Sequence, residues 1–117
     1  MFEPKIKIFT NFLKFVCGKY VTGITLCPFG IYVKNIKSIS VINHEKIHWQ
    51  QQLELFILPF YIWYFIEWLI KLFFFKDAYR NISFEREAYN NDLNNNYLKS
   101  RKPYAWIKLI FKNNYDK

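Results

Sequence analysis

The residues best suited to chemistry lie in one pentapeptide, His44-Glu45-Lys46-Ile47-His48. Residues four apart on a helix share a face, so two imidazoles at that spacing can reach one metal ion. Both of the chain's histidines fall inside this segment. A zinc site built on two His needs a third protein ligand and keeps a fourth position for water. Glu45 stands beside such a metal and can take the water's proton, while Zn²⁺ lowers the water's pKa toward neutrality and polarises a carbonyl. The third ligand must be a carboxylate or a thiolate, because no histidine is left. The candidates are Glu85 and Glu87, in Ser83-Phe84-Glu85-Arg86-Glu87-Ala88-Tyr89, with Cys27 a weaker one. Glu54 shares a helix with His44 but sits about 15 Å of rise further along, and Glu67 is further still. Neither can join His44 and His48 at one ion.

Elements must carry these residues to one place. At 117 residues the chain makes one small domain, 1–117, with neither an internal repeat nor a Gly/Ser linker to divide it. Ile6, Phe9, Phe12, Leu13 and Val16 recur at three- and four-residue steps, which predicts an amphipathic basic helix over Lys5–Val16, stopped at Gly18. Between Val21 and Ile42 β-branched residues dominate, punctuated by Gly23, Pro28 and Gly30. That pattern predicts strands near Ile24–Leu26, Ile31–Lys34 and Ile39–Val41. From Asn43, a good N-cap, to Phe75 the chain reads as helix, kinked or broken at Pro59. Glu67 and Lys71 lie at i,i+4, where they can pair. Ser83 or Asn81 can cap a helix running toward Leu98. A closing basic stretch around Tyr104, Trp106, Ile107 and Ile110 predicts a last amphipathic helix.

Composition narrows the partners. Hydrophobic residues make up 52% and aromatics 22%, which excludes a disordered polar chain and a collagen-like repeat. Seventeen Lys and Arg against nine Asp and Glu give a net charge of +8, so the chain favours anionic partners. Its aromatics cluster in the uncharged run Leu55–Ile66 rather than interleaving with lysines, which argues for membrane lipid and against nucleic acid. The expected location is therefore the membrane, integral or interfacial, with the run read as a kinked span or a re-entrant hairpin around Pro59, and a buried core helix as the alternative to both. Cys17 and Cys27 lack a metal-pair spacing and read as free thiols rather than a disulfide. The stretch Met1–Tyr20 lacks the features of a signal peptide, because Glu3, Pro4 and Lys14 interrupt it.

Taken together, His44, Glu45, His48 and Gln51 with the downstream Glu85, Glu87 and Ala88 resemble the gluzincin branch of zinc metallopeptidases. The pattern is similar in particular to small HExxH domains and to membrane-embedded zinc endopeptidases of the heat-shock and CAAX-processing type. The run Tyr79–Glu85 after a Phe/Tyr/Trp-rich helix also resembles short bacterial proteins of this size. The resemblance implies Glu85 as the third zinc ligand, with Glu87 second. Position 89 departs from the pattern, being Tyr89 where those proteases usually have Asp. The implied fold is mainly α with a small β-hairpin or strand element, an α+β minimal zincin-like core beside a long, aromatic-rich, Pro-kinked helix.

Two functions follow as expectations. In the first, Zn²⁺ on His44, His48 and Glu85, with Glu45 as general base, activates water against a peptide bond of a membrane-proximal polypeptide. Tyr79, Arg80, Arg86 and Tyr89 are candidates for stabilising the oxyanion, and the strand Gly30-Ile31-Tyr32-Val33 for holding an extended substrate. In the second, the same site is a structural staple in a non-catalytic subunit of a membrane protein complex.

Overall fold

The computed structural model describes residues 4–17 and 21–111. The chain is mainly helical with a three-stranded sheet: β1 (Ile6–Ile8), α1 (Asn11–Cys17), β2 (Gly23–Leu26), β3 (Gly30–Val33), α2 (Ile39–Glu54), α3 (Leu58–Lys71), α4 (Ala78–Asn81), α5 (Ser83–Asn91) and α6 (Tyr97–Ser100), with a 3₁₀ turn at Ile107–Leu109. This agrees with the α+β expectation.

The sheet order is β1-β3-β2. β2 and β3 form an antiparallel hairpin that pairs Gly23 with Val33 and Leu26 with Gly30, and β1 lies parallel to β3. In β3, Ile31 and Val33 are fully buried, as the central position requires. Both join Cys27 and Trp49 in one core cluster. Gly30 has φ +143°, and a Cβ there would meet the Lys5 carbonyl at 2.9 Å, so only glycine lets β1 approach this closely.

The first helix is shorter than the periodicity suggests. Ile6–Ile8 is strand, and α1 begins at Asn11. Apolar residues at 6 and 9 satisfy a helical step, but Ile6–Ile8 gains a ladder with β3 that no local propensity encodes. Gly18 lies outside the described residues. At Ile39–Val41 the error is the reverse. These residues form the first turn of α2, which starts after Ser38; Val41 and Ile42 pack on the sheet core, and that packing overrides β-branched propensity. Asn43 is therefore not the N-cap. Its amide reaches the Asp92 carbonyl at 3.0 Å and Asn95 Oδ1 at 2.8 Å.

The expected helix Asn43–Phe75 is two helices, with axes bent by 112°. At the junction Phe56 and Ile57 hold φ of 57° and 72°, left-handed values that cost about 1–2 kcal/mol each in non-glycine residues. Pro59 is no kink. It sits in the first turn of α3, where its missing N–H goes unneeded.

Glu67 and Lys71 pair as their spacing suggests, at 2.7 Å and with both side chains buried. Glu67 does more: it accepts from the Ser83 backbone N–H at 2.7 Å and from Ser83 Oγ at 2.6 Å. A negative charge thus sits on the N-terminal end of α5, where the helix dipole favours it. The α5 helix ends at Asn91 rather than near Leu98, because turns through Asn94 interrupt it. The closing stretch gives only the 3₁₀ turn, and residues from Lys112 onward lie outside the described part. Cys27 is a buried free thiol; the Cys17 side chain is outside the described residues.

Candidate metal centre

α2 packs one side on the sheet and another on α5, which brings His44 and His48 against Glu85. The Nε2 atoms of the two histidines lie 2.9 and 3.2 Å from the same oxygen, Glu85 Oε1. One potential ligand atom from each of the three buried residues falls within 4.8 Å of the others. A buried group of His44, His48 and Glu85 could hold a metal ion.

The donor inventory shows why a cation fits. His44 Nδ1 faces Asp92 Oδ2 at 3.2 Å, and His48 Nδ1 faces Gln51 Oε1 at 2.7 Å. The Gln51 amide orientation is forced, since its Nε2 donates to the Phe84 carbonyl at 3.1 Å and to Glu87 Oε1 at 2.9 Å. Each ring therefore has an acceptor on both sides. A neutral imidazole carries one proton. With Nδ1–H donated outward, both Nε2 lone pairs point at a carboxylate oxygen, an arrangement that only added protons or a cation relieves.

The electrostatics agree. Burial by itself lowers the His48 pKa, but the Glu85 carboxylate overcomes this and raises it to about 9. Burial pushes the Glu85 carboxyl up, yet His48 and His44 outweigh it and hold the group well below the usual carboxylate range. The second Glu85 oxygen accepts from the Tyr64 hydroxyl at 2.6 Å. Burial and the Glu85 charge keep that phenol far above its ordinary pKa, so Tyr64 remains a donor.

Glu45 is held by β2 at the edge of the cluster. Its Oε1 lies 2.6 Å from Thr25 Oγ1 on β2, and a Cβ on Gly23 would come within 3.1 Å of its Cγ. The edge strand passes this close because position 23 has no side chain. Two depressions meet over Glu45. One, about 550 Å³, is lined by Ser40, His44, Tyr89 and Asp92; the other, about 260 Å³, by Ile24, His48, Phe60, Tyr61, Tyr64 and Glu85. They share Val21, Gly23, Glu45 and Tyr79, and so form a cleft running along β2.

The other sequence candidates scatter. Glu87 faces away from the cluster, paired with Arg101 and taking the Tyr97 hydroxyl at 2.7 Å. Residues 85 and 87 are two apart on a helix, so they cannot share a face. Cys27 sits in the sheet core. Gly30–Val33 is the central strand, so its backbone is occupied on both sides; β2 is the edge beside Glu45. Arg86 is fully buried and donates to Asn81 Oδ1 and the Leu109 carbonyl. Arg80 lies over the Tyr89 ring at 4.1 Å, and Tyr89 meets His44 edge-on at 4.5 Å. Of the four oxyanion candidates, Tyr79 is the one lining both halves of the cleft.

Asp92, Tyr64 and Thr25 had no part in the sequence reading. Asp92 lies two helical turns beyond Glu85, a spacing that could have flagged it, and it gives His44 the carboxylate partner that Tyr89 cannot. Tyr64 and Thr25 arrive by tertiary packing and leave no local signal. The chain matches no protein-family model, no curated protein and no solved structure.

Proposed function

We propose that this chain is a zinc-dependent hydrolase acting on peptide bonds. The observation that carries the reading is the convergence of His44, His48 and Glu85, with each imidazole already facing an acceptor through its other nitrogen. Two imidazoles and one carboxylate are the ligand chemistry that zinc favours, and a three-residue set leaves a coordination position for water. Bound metal would supply Lewis acidity, lowering the pKa of water and polarising a carbonyl.

The chain's own residues divide the remaining work. Glu45 takes the proton of the attacking water and returns it to the leaving amine. Thr25 and the bare Cα of Gly23 hold that carboxylate against β2. The Tyr79 phenol, kept protonated by burial and by the Glu85 charge, donates to the developing oxyanion. The β2 edge offers backbone groups to an extended polypeptide, and the half of the cleft walled by Ile24, Phe60, Tyr61 and Tyr64 takes an apolar side chain.

The structural-staple alternative needs a fourth protein ligand, and among the described residues no further His, Cys, Asp or Glu joins the group. Elemental analysis tests the proposal. Wild-type protein dialysed against zinc carries about one zinc per chain, His48→Ala and Glu85→Ala lose it, and Glu45→Gln keeps it while losing hydrolysis of an unstructured peptide. Absence of zinc from the dialysed wild type overturns the metal site. Retained hydrolysis in Glu45→Gln removes the assigned base.

A further inference from the structure

We infer that the outer face of α3 is a docking surface for an anionic lipid bilayer, lying in the plane of the membrane rather than crossing it. The helix is amphipathic in the inverted sense. Its two charged residues, Glu67 and Lys71, both turn inward, are buried and pair with each other. The face left to the outside consists of Ile62, Phe65, Ile66, Leu69 and Ile70, each 43–58% exposed. It runs on into Phe73 and Phe74, which are 80% and 73% exposed. A helix in contact with water places its charges outside and its apolar residues within. Here the protein has spent its only α3 charges on its own interior, where Glu67 holds the start of α5.

Charge selects the occupant. Among the described residues, Glu45, Glu54, Glu67, Glu85, Glu87 and Asp92 all have internal partners. Asp77 is the one exposed acid among the described residues. Beside this face, exposed Lys76 follows Phe73 and Phe74 in the chain, and exposed Lys108 lies in the 3₁₀ turn next to Trp106, which meets Trp63 of α3 at 5.4 Å. A surface of cations and apolar side chains, almost without anions, complements anionic headgroups over acyl chains. A second copy of the chain would bring the same cations against themselves. The geometry sets the depth: fourteen residues rise about 21 Å, short of the roughly 30 Å hydrocarbon core. No single helix among the described residues is long and apolar enough to cross a membrane.

Flotation of the full chain with vesicles of phosphatidylglycerol and phosphatidylcholine, about one to three, tests this directly. The wild type floats with these vesicles, less so with pure phosphatidylcholine, and binding weakens in high salt. Phe65→Gln/Phe73→Gln, with unchanged far-ultraviolet circular dichroism, binds about tenfold or more weakly, because both side chains are exposed and the internal ring contact of Phe65 is with Trp68 on its own helix. A wild type that stays with the bulk solution overturns the inference, as does a double variant that floats equally well. So does a wild type that dimerises in vesicle-free buffer through Phe65 and Phe73, which would make a second copy the cover. None of these readings depends on zinc or on hydrolysis.

Discussion

A histidine between two acceptors has one proton and two places for it, and that conflict sets the chemistry of His48. In metal-free protein the conflict is met by binding a second proton, which is why the Glu85 carboxylate raises this pKa from 6.5 to about 9. The folded value exceeds the unfolded one, so the contribution to stability is complete below about pH 6.5 and vanishes as pH rises through about 9. Metal-free protein is therefore expected to lose denaturant resistance across that window. The zinc-loaded protein, whose metal replaces the proton, should change much less. Urea titrations of both forms between those pH values check this; a metal-free midpoint that holds steady would mean the ring is not doubly protonated. The tautomer-setting partners have their own signature. Removing the Gln51 acceptor by Gln51→Ala, or the Asp92 carboxylate by Asp92→Ala, should weaken zinc binding about 10- to 100-fold in a competition titration, as for other groups that orient a metal-bound imidazole.

At the scale of elements, α2 and α5 do the positioning, and Glu67 of α3 fixes where α5 begins. Glu67 accepts from Lys71, from the Ser83 backbone and hydroxyl and from the Trp63 indole N–H at 3.1 Å. Glu67→Ala leaves a buried ammonium and several donors without it, and is expected to destabilise the fold by about 3–5 kcal/mol in urea unfolding. Glu67→Met/Lys71→Met should recover part of that loss, because removing both charges costs less than stranding one. Equal instability of the single and double variants would show that Glu67 matters only as an α5 cap. These elements were unevenly legible from the sequence. His44, Glu45 and His48 declare themselves because helical periodicity fixes their faces. Glu85 stands ahead of Glu87 only through the resemblance, since helical spacing does not say which of the two faces the histidines. The β2–β3 hairpin was readable from its β-branched runs and glycines. Ile6–Ile8 and Ile39–Val41 were read in the wrong class, since in each the deciding contact comes from an element distant in sequence. Pro59 signalled the break but not its place at Phe56–Ile57: neither residue is a glycine, and the packing of Phe60 against Phe84 and of Ile57 on the sheet core that accompanies the turn leaves no local trace.

Across the whole molecule, one side chain links the C-terminal region to the candidate metal centre. Arg101 grips both Glu54 oxygens, at 2.7 and 3.0 Å, near the end of α2, and also pairs with Glu87 on α5. The planar guanidinium suits this double carboxylate contact in a way an ammonium cannot. Glu87 in turn accepts from Gln51, whose oxygen faces His48. A continuous series of hydrogen bonds thus runs from residue 101 to a ligand of the proposed zinc. Arg101→Met strands the buried Glu87 carboxylate and should cost about 3–5 kcal/mol of stability. Arg101→Lys keeps the charge, loses the fork and should cost less. The decisive readout is zinc affinity measured on the fraction that remains folded. If Glu87 needs Arg101 to hold Gln51 in its present orientation, Arg101→Lys will bind zinc about tenfold more weakly even where circular dichroism shows an intact fold. A lysine variant that is less stable yet binds zinc as tightly as wild type would confine Arg101 to clamping α2 to α5. The geometry of His48 would then rest on Phe84 and Glu87 alone.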